Sequence, residues 1–197
     1  MEVKAPAKVN LFLNVGNKRK DSYHDIISIM LKISLFDIIK IKEDTELKVE
    51  APAWINPADN LVYKSAKLFF RQSGIKKRCR IILKKNIPAA AGLGGGSSDA
   101  ATTLKALNTF FKAGLSLKEL ENSGKKLGSD VNFFLHKGIC LSRGRGEDIS
   151  PIEITKEKKF HILLIDPGIN ISTKAVYDKY PGGRLTHEEE LIKIIKK

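Results

Sequence analysis

The sequence has few cysteines, few aromatic residues and no long apolar run. Its two cysteines, Cys79 and Cys140, lie far apart in 197 residues and match no spacing of metal ligands. A disulfide scaffold is therefore excluded, and a reducing compartment is expected. Apolar stretches such as Ile26–Phe36 are interrupted by polar residues and fall short of the roughly 20 residues that a membrane helix needs. Because the N-terminus is charged where a signal peptide would be apolar, we expect a soluble, cytoplasmic chain without a membrane partner.

Acidic residues are outnumbered by basic ones. The chain has 35 Lys and Arg against 22 Asp and Glu, a formal net charge of +13 at pH 7. Such an excess fits a polyanionic partner, either nucleic acid or a phosphorylated small molecule. It equally fits a lysine-rich solvated surface, because the lysine clusters fall in predicted turns without interleaved aromatic residues. Charge alone leaves both interpretations open.

The order of apolar patterns along the chain predicts a mixed α+β fold. Strands are expected at 26–33, 36–41, 47–49, 80–83, 139–142 and 160–165, and at 9–15 with Val9, Leu11, Leu13 and Val15 as its apolar face. Helices are expected from Asp59 or Asn60 to Gly74, from near Ser98 to Gly114, from a Ser116–Glu119 capping box toward Gly128, and over 186–197. A basic linker at 156–159 predicts a main domain, residues 1–155, and the start of a second, residues 156–197.

A run of small residues between a predicted strand and a predicted helix is the most informative segment. It reads Ala89-Ala-Ala-Gly-Leu-Gly-Gly-Gly-Ser-Ser98 and follows Pro88. Glycine has no Cβ to block a close approach, and the start of the following helix presents unpaired N–H groups and a positive dipole end. These features together predict an anion site, for which phosphate is the usual ligand. A flexible linker is the alternative, and the strongly amphipathic helix that follows disfavours it.

Two common nucleotide motifs do not fit this loop. A Walker A loop is excluded because no GxxxxGK followed by Ser or Thr is present. The dinucleotide fingerprint GxGxxG is excluded because Ser97 stands where its third glycine belongs. The segment is therefore predicted to be a phosphate loop of another kind.

The segment Pro88–Ser98 resembles the ATP-binding loop of the GHMP kinases, the superfamily of galactokinase, homoserine kinase, mevalonate kinase and phosphomevalonate kinase. One family within this superfamily is the 4-diphosphocytidyl-2-C-methyl-D-erythritol kinases of the non-mevalonate isoprenoid route. Three further segments are similar to segments of that family, namely Ala5–Leu11, Arg19–His24 and Leu127–Phe134. The similarity runs in order from residue 5 to about residue 177. Ser22 and Asn132 stand where that pattern usually has glycine and proline. The resemblance implies a two-domain kinase with a mixed sheet and helices in the first domain, and with the second domain incomplete in this chain.

The resemblance also implies roles on the substrate side, for a small molecule that contains cytidine diphosphate. Asp130 would take the proton from the substrate hydroxyl. Lys8 would pair with Asp130 and with the transferred phosphoryl group, and Asn10 shares its face of the strand. The remaining substrate contacts would come from the cytosine-binding residues His24, Tyr23 and Tyr177, and from Thr173 near the acceptor.

On the nucleotide side, the resemblance implies ATP as the phosphoryl donor together with Mg²⁺. Asn60 would contact adenine. The phosphates would lie on the loop, which consists of Pro88, Ala89, Ala90, Ala91, Gly92, Leu93, Gly94, Gly95, Gly96, Ser97 and Ser98. The metal would be held mostly by phosphates and water, with Ser97 or Ser98 completing its shell, so that no set of metal ligands made by the protein alone is expected.

Other interpretations stay open at this point. Without the resemblance, Asp130 after Gly-Ser is an ordinary cap or turn residue, and Lys8 is an ordinary strand lysine. Another GHMP kinase, such as a mevalonate or homoserine kinase, is disfavoured because neither substrate has a base for Tyr23 and His24 to bind. A truncated, inactive nucleotide-binding fragment is a further alternative. A nucleic-acid-binding module would fit the charge but would have no need of the glycine loop before a helix.

Overall fold

Two long antiparallel strands form the centre of the fold. The computed structural model describes residues 1–154, 159–166, 168, 173–185 and 192–193. Strand β1 covers Glu2–Lys18, and strand β2 covers 21 residues, His24–Asp44. The two strands pair along almost their whole length, with register shifts between Pro6 and Lys8, between Asn10 and Phe12, and between Val15 and Lys18. These shifts decide which side chains of β1 face the functional site.

Shorter elements follow in chain order. They are strand β3 (Lys48–Glu50), helix α1 (Leu61–Ser73), strand β4 (Arg78–Lys84), helix α2 (Gly95–Phe110), helix α3 (Leu117–Leu127), helix α4 (Val131–Leu135), strands β5 (Ile139–Arg143) and β6 (Asp148–Pro151), and helix α5 (Thr173–Lys179). The alternation of strands and helices confirms the predicted α+β class. None of the described helices is long and apolar enough to cross a bilayer.

The strands form one mixed sheet. Strand β2 pairs with β1 along one edge, and its other edge pairs with β4 over 38–44 and with β5 over 28–31. Strands β3 and β6 extend the sheet at its two ends, β3 parallel to β4 and β6 antiparallel to β5. Helix α2 packs against β1, β2 and the helices α1, α3 and α4. The main core lies between these helices and the sheet, around side chains such as Phe69, Ile81, Leu104 and Phe133.

Local signals predicted several helix ends correctly. Asn60 caps α1, with its Oδ1 accepting hydrogen bonds from the N–H groups of Val62 and Tyr63, and Gly74 ends that helix at a φ of 68°. Ser116 and Glu119 form the predicted capping box of α3. Helix α2, in contrast, begins at Gly95, three residues before the predicted start near Ser98.

The predicted break between two strands at 33–36 is wrong. The structure has one strand, β2, because residues 33–35 form a bulge opposite Ala7 rather than a turn. The predicted apolar face of 9–15 is also wrong in part. Leu11 and Leu13 are 38% and 42% exposed, because the register shift next to Leu11 breaks the simple alternation of faces.

The predicted strand at 160–165 is wrong as well. In the described part of the chain, no strand pairs with this segment, and Leu163 and Ile165 are more than four-fifths exposed. Residues 156–158 of the predicted linker lie outside the described residues. The predicted helix over 186–197 also lies outside them, apart from residues 192 and 193. The division into domains at residue 155 therefore stays a prediction.

Candidate active site

The glycine loop lies against the edge of β1. The backbone N–H of Lys8 donates a 3.0 Å hydrogen bond to the carbonyl oxygen of Leu93, which ties the loop to the strand. Gly92 and Gly94 adopt φ values of 73° and 69°, which glycine reaches without strain. Gly94 occupies the position before the first turn of α2, so the free N–H groups of that turn lie beside the loop. This arrangement fits the predicted anion site.

Tight packing surrounds the backbone of the loop at Gly94 and Gly95. A Cβ added at Gly94 would lie 3.0 Å from Cγ of Lys8 and from Cζ of Phe134. One added at Gly95 would lie 3.1 Å from Nζ of Lys85. At Gly96 the nearest atom is 3.4 Å away and belongs to Leu61, the first residue of α1. The loop therefore joins β1 on one side and the start of α1 on the other.

Lys8, Asn10 and Asp130 meet beside the loop. The buried Lys8 ammonium donates to Oδ1 of Asn10 at 3.1 Å and lies 3.9 Å from Oδ2 of Asp130. Asp130 precedes α4, but its side chain accepts no capping hydrogen bond from that helix. Its carboxylate is about one-third exposed and lines the cavity. The geometry thus favours a chemical role for Asp130 over the cap or turn role left open by the sequence.

Tyr23, His24 and Tyr177 come together at the other end of the cavity. The His24 ring lies 5.8 Å from the ring of Tyr177 and 5.9 Å from that of Tyr180. His24 is buried, its Nδ1 lies 2.9 Å from the carbonyl oxygen of Gly16, and its Nε2 has no hydrogen-bond partner. Because a carbonyl oxygen only accepts, Nδ1 carries the proton in the neutral ring, and Nε2 is left as an acceptor.

The turn before this pair contains a residue in a strained conformation. Ser22, which stands where the related pattern usually has glycine, adopts a φ of 67°. For a residue with a Cβ this left-handed region costs on the order of 1–2 kcal/mol. The turn thereby places Tyr23 at the cavity with half of its side chain exposed. Burial and the negative charge of Asp130 raise the pKa of Tyr177, which also lines the cavity.

Lys85, Asp37 and Asp99 form a buried ionic cluster next to the glycine loop. Nζ of Lys85 donates to Oδ2 of Asp99 at 2.8 Å and also to Asp37, and all three side chains are almost completely buried. Asp37 additionally accepts from the backbone N–H of Ile87, next to Pro88. Burial, reinforced by the charge of Asp37, raises the pKa of Asp99 to about 7 although Lys85 opposes the shift. Oδ1 of Asp99 has no partner.

Most of these groups line one cavity of about 1150 Å³. A single drug-sized ligand usually occupies a pocket of roughly 300–1,000 Å³, so the space suits two ligands side by side. The sequence-predicted residues that line it are Lys8, Asn10, Tyr23, His24, Asn60, Pro88, Ala89, Ala90, Ala91, Gly92, Leu93, Gly94, Gly95, Gly96, Ser97, Asp130 and Tyr177. Ser98 is fully buried and is not among the lining residues, and its Oγ has no partner. Thr173 begins α5, but its side chain lies outside the described residues.

Sequence reasoning missed several side chains of this cavity. Trp54, 62% exposed, lines the end near Asn60. Arg145 lines the end near Tyr23, and Lys85 and Asp99 line the floor. The only sequence signals were a tryptophan in a stretch rich in alanine and proline and an arginine between two glycines of a turn. Neither signal reveals that the residue faces a ligand.

Comparison with known proteins agrees with this arrangement. The profile of the GHMP kinases N terminal domain matches residues 60–138. A curated 4-diphosphocytidyl-2-C-methyl-D-erythritol kinase from Thermodesulfovibrio yellowstonii is 46% identical over 88% of this chain and 60% of its own length. The Bacillus pumilus enzyme of the same name is 41% identical over 98% of this chain and 68% of its own length. The chain therefore spans about two-thirds of the length of these relatives.

Solved structures give the same result. A crystal structure of 4-(cytidine 5'-diphospho)-2C-methyl-D-erythritol kinase superposes with a TM-score of 0.79 and 33% identity, covering 99% of this chain and 71% of that one. A mevalonate kinase superposes with a TM-score of 0.66 at 18% identity, covering 100% of this chain and 70% of that one, and shows the shared fold alone. The fold, the glycine loop and the identity to curated relatives agree. The chain belongs to the 4-diphosphocytidyl-2-C-methyl-D-erythritol kinase family of the GHMP kinases.

Proposed function

We propose that this chain is an ATP-dependent kinase that phosphorylates the 2-hydroxyl of 4-diphosphocytidyl-2-C-methyl-D-erythritol, a step of non-mevalonate isoprenoid precursor synthesis. One observation carries the proposal. A single cavity joins the glycine loop at one end, the Lys8–Asp130 pair in the middle and the Tyr23–His24–Tyr177 group at the other end. This order matches a donor phosphate, an acceptor hydroxyl and a nucleobase.

ATP binds at the loop end of the cavity. Its phosphates lie over Gly94–Ser97, where the free N–H groups and the positive end of α2 stabilise negative charge. Its adenine lies toward Asn60 and Trp54, at the start of α1. The Oδ1 atom of Asn60 is already used to cap α1, so Nδ2, the donor nitrogen of its side-chain amide, is the part left to contact the base.

Phosphoryl transfer needs little covalent work from the protein, since most of the rate comes from positioning and charge neutralisation. Asp130 accepts the proton of the acceptor hydroxyl as that oxygen attacks the γ-phosphorus, and the bond from this phosphorus to the oxygen that bridges it to the β-phosphate breaks and releases ADP. The ammonium of Lys8, 3.9 Å from Oδ2 of Asp130, neutralises charge that develops on the transferred group. Asn10 accepts from Lys8 and fixes the position of the ammonium.

The residues at the loop fit a magnesium ion held chiefly by phosphates. The described residues contain no cluster of three or more His, Cys, Asp or Glu side chains that could hold a metal without the nucleotide. Ser97 and Asp99 line the cavity, and Oδ1 of Asp99 is a buried oxygen without a partner. Oxygen ligands of this kind suit Mg²⁺, which keeps several waters and binds through one or two protein groups. When bound, Mg²⁺ neutralises phosphate charge.

Substrate selection takes place at the far end of the cavity. Tyr23 and Tyr177 hold the cytosine ring between them by stacking, and Nε2 of His24 accepts a hydrogen bond from the exocyclic amine of cytosine. Uracil carries an oxygen at that position, which would face a second acceptor. The substrates of the mevalonate and homoserine kinases have no base to occupy this end.

The test measures ADP formation by the purified chain with ATP, Mg²⁺ and each of three acceptors. We expect ADP formation with 4-diphosphocytidyl-2-C-methyl-D-erythritol and none above background with mevalonate or homoserine. Turnover of either of the latter would assign the chain to another GHMP activity. If ATP and CDP bind by calorimetry while no acceptor supports turnover, the chain is a nucleotide-binding protein rather than a kinase. The proposal fails in either case.

A further inference from the structure

Arg145 occupies a position between the two ends of the substrate site. It lies in the turn 144–147 that joins β5 to β6. Its guanidinium carbon lies 5.1 Å from the centre of the Tyr23 ring, a cation–π distance. A Cβ on the next residue, Gly146, would lie 3.7 Å from Oδ1 of Asp130. The turn therefore reaches from the nucleobase end to the catalytic end of the cavity.

A neighbouring carboxylate holds this guanidinium in place. Oε1 of Glu147 accepts from Nε of Arg145 at 3.2 Å, and Oε2 accepts from the backbone N–H of Arg145 at 2.7 Å. Partial burial alone would raise the pKa of Glu147, but these hydrogen bonds outweigh burial and hold the pKa below its usual value. Glu147 is not among the residues that line the cavity, whereas Arg145 is. The carboxylate of Glu147 therefore holds the Arg145 side chain in place from outside the cavity.

The other cations of the cavity are engaged elsewhere. Lys85 lies between Asp37 and Asp99 under the loop, and Lys8 pairs with Asp130. Lys18 lies at the rim, 3.5 Å from Asp178 of α5. A diphosphate that links a nucleoside to a sugar alcohol must pass between the base and the hydroxyl, which is the stretch that Arg145 borders. A planar guanidinium is the side chain best suited to bind phosphate through paired N–H groups.

We propose that Arg145 binds the diphosphate of the cytidine-containing substrate and stacks on the face of Tyr23 that is turned away from the base. This inference rests on the proposed function, because it takes the substrate class from it. Arg145 then has two effects. It neutralises the two phosphates, and it holds the Tyr23 ring upright for stacking. A protein with an apolar residue at 145 would have to bind the diphosphate without this cation.

The test compares calorimetric affinities of cytidine, CMP and CDP for the wild type, Arg145→Gln and Arg145→Lys. A hydrogen bond to a charged group contributes roughly 1.5–3 kcal/mol, so Arg145→Gln should weaken CDP binding by about 10–150-fold. Cytidine, which has no phosphate, should lose clearly less affinity than CDP, because only the support of the Tyr23 ring is removed. Arg145→Lys should give an intermediate loss, because lysine keeps the charge without the paired geometry. ATP affinity, measured on the same samples, should be unchanged and shows that each variant is folded.

Arg71→Gln is the matched control, since Arg71 is an exposed arginine in the last turn of α1, away from the cavity. Equal CDP affinity of the wild type and Arg145→Gln would overturn the proposal. So would an equal loss for cytidine and CDP, because Arg145 would then act only through the Tyr23 ring. If the wild type binds ATP but neither cytidine nor CDP, the proposed substrate itself is wrong, and the proposal for Arg145 falls with it.

Discussion

Nζ of Lys8 lies 3.9 Å from Oδ2 of Asp130, although the two residues are more than 120 positions apart in the chain. The contact forms because Lys8 lies on the edge strand β1, whose backbone at this point binds Leu93 of the glycine loop. Asp130 reaches the same place from the turn between α3 and α4. Lys8 therefore contacts both parts of the site. Its backbone binds the glycine loop, and its side chain lies beside the carboxylate that is proposed as the base.

Replacing Asp130 by Asn should remove the proton acceptor and leave the shape of the site intact. Turnover should fall by about 10²–10⁴-fold, because general base catalysis contributes that much, while ATP affinity changes little. Steady-state kinetics and calorimetry measure the two effects. Asp148→Asn, at an exposed carboxylate on β6, is the control and should keep full activity. Undiminished turnover of Asp130→Asn would make Asp130 a structural residue.

Substitutions in the glycine loop should separate ligand approach from folding. Gly96 lies in the first turn of α2 and has ordinary backbone angles, so Gly96→Val should weaken ATP binding at least tenfold with a small change in melting temperature. Gly94→Val should lower both the ATP affinity and the melting temperature, because residue 94 has a positive φ and a Cβ there would lie too close to Lys8 and Phe134. Calorimetry and thermal unfolding measure the pair. Unchanged ATP affinity of Gly96→Val would contradict the phosphate assignment.

The protonation of Asp99 should make stability depend on pH. Its pKa is raised from 3.8 to about 7 in the folded protein, so the folded state binds more protons than the unfolded chain between these values. The contribution of Asp99 to the free energy of unfolding is therefore largest at low pH and is lost as pH rises through about 4 to 7, by an amount on the order of a few kcal/mol. Asp99→Asn should lack this component.

Urea unfolding of the wild type and Asp99→Asn across pH 4 to 8 measures this difference. The two free energies of unfolding should diverge as pH rises, with the variant becoming relatively more stable. Asp148→Asn again provides an exposed comparison. If the free energies of unfolding of the wild type and Asp99→Asn change in parallel with pH, Lys85 fully cancels the effects of burial and of Asp37 on the pKa of Asp99.

Trp54 should report on the adenine of ATP. It is the only tryptophan of the chain, it is 62% exposed, and it lines the cavity near Asn60. Stacking of a base on an aromatic ring contributes roughly 1–3 kcal/mol, so Trp54→Ala should weaken ATP binding by about 5–150-fold. Binding of inorganic tripolyphosphate, which has no base, should not change. Tyr63→Ala, at an exposed aromatic outside the cavity lining, is the control, and an equal loss of ATP and tripolyphosphate would argue against stacking.

The pyrimidine end should distinguish CDP from UDP. Tyr23→Ala should weaken CDP binding by about 5–150-fold and leave ATP binding unchanged. The wild type should prefer CDP to UDP, because Nε2 of His24 is an acceptor with no partner in the protein. His24→Gln should reduce that preference, since an amide can rotate to offer either a donor or an acceptor. Equal affinity of the wild type for CDP and UDP would remove the role of His24.

Local chemistry predicted much of the scaffold. Asn60, Gly74 and the Ser116–Glu119 pair mark helix ends by hydrogen bonds and backbone angles that involve only a few neighbouring residues, so the sequence alone determines them. The glycine loop before a helix predicted an anion site for the same reason. The order of motifs along the chain then pointed to the GHMP kinases, and the comparisons confirmed that family.

Only the tertiary structure decided which side chains meet. The bulges of β1 turn Leu11 and Leu13 outward, and they arise from pairing with β2, which no local pattern encodes. Lys85 meets Asp37 and Asp99 across 48 and 14 positions of the chain, and Arg145 meets Tyr23 across 122. Charged residues carry no periodic signal of their own, because a solvated lysine and a buried one look alike in sequence. Their partners, and hence their chemistry, follow from long-range strand pairing and helix packing.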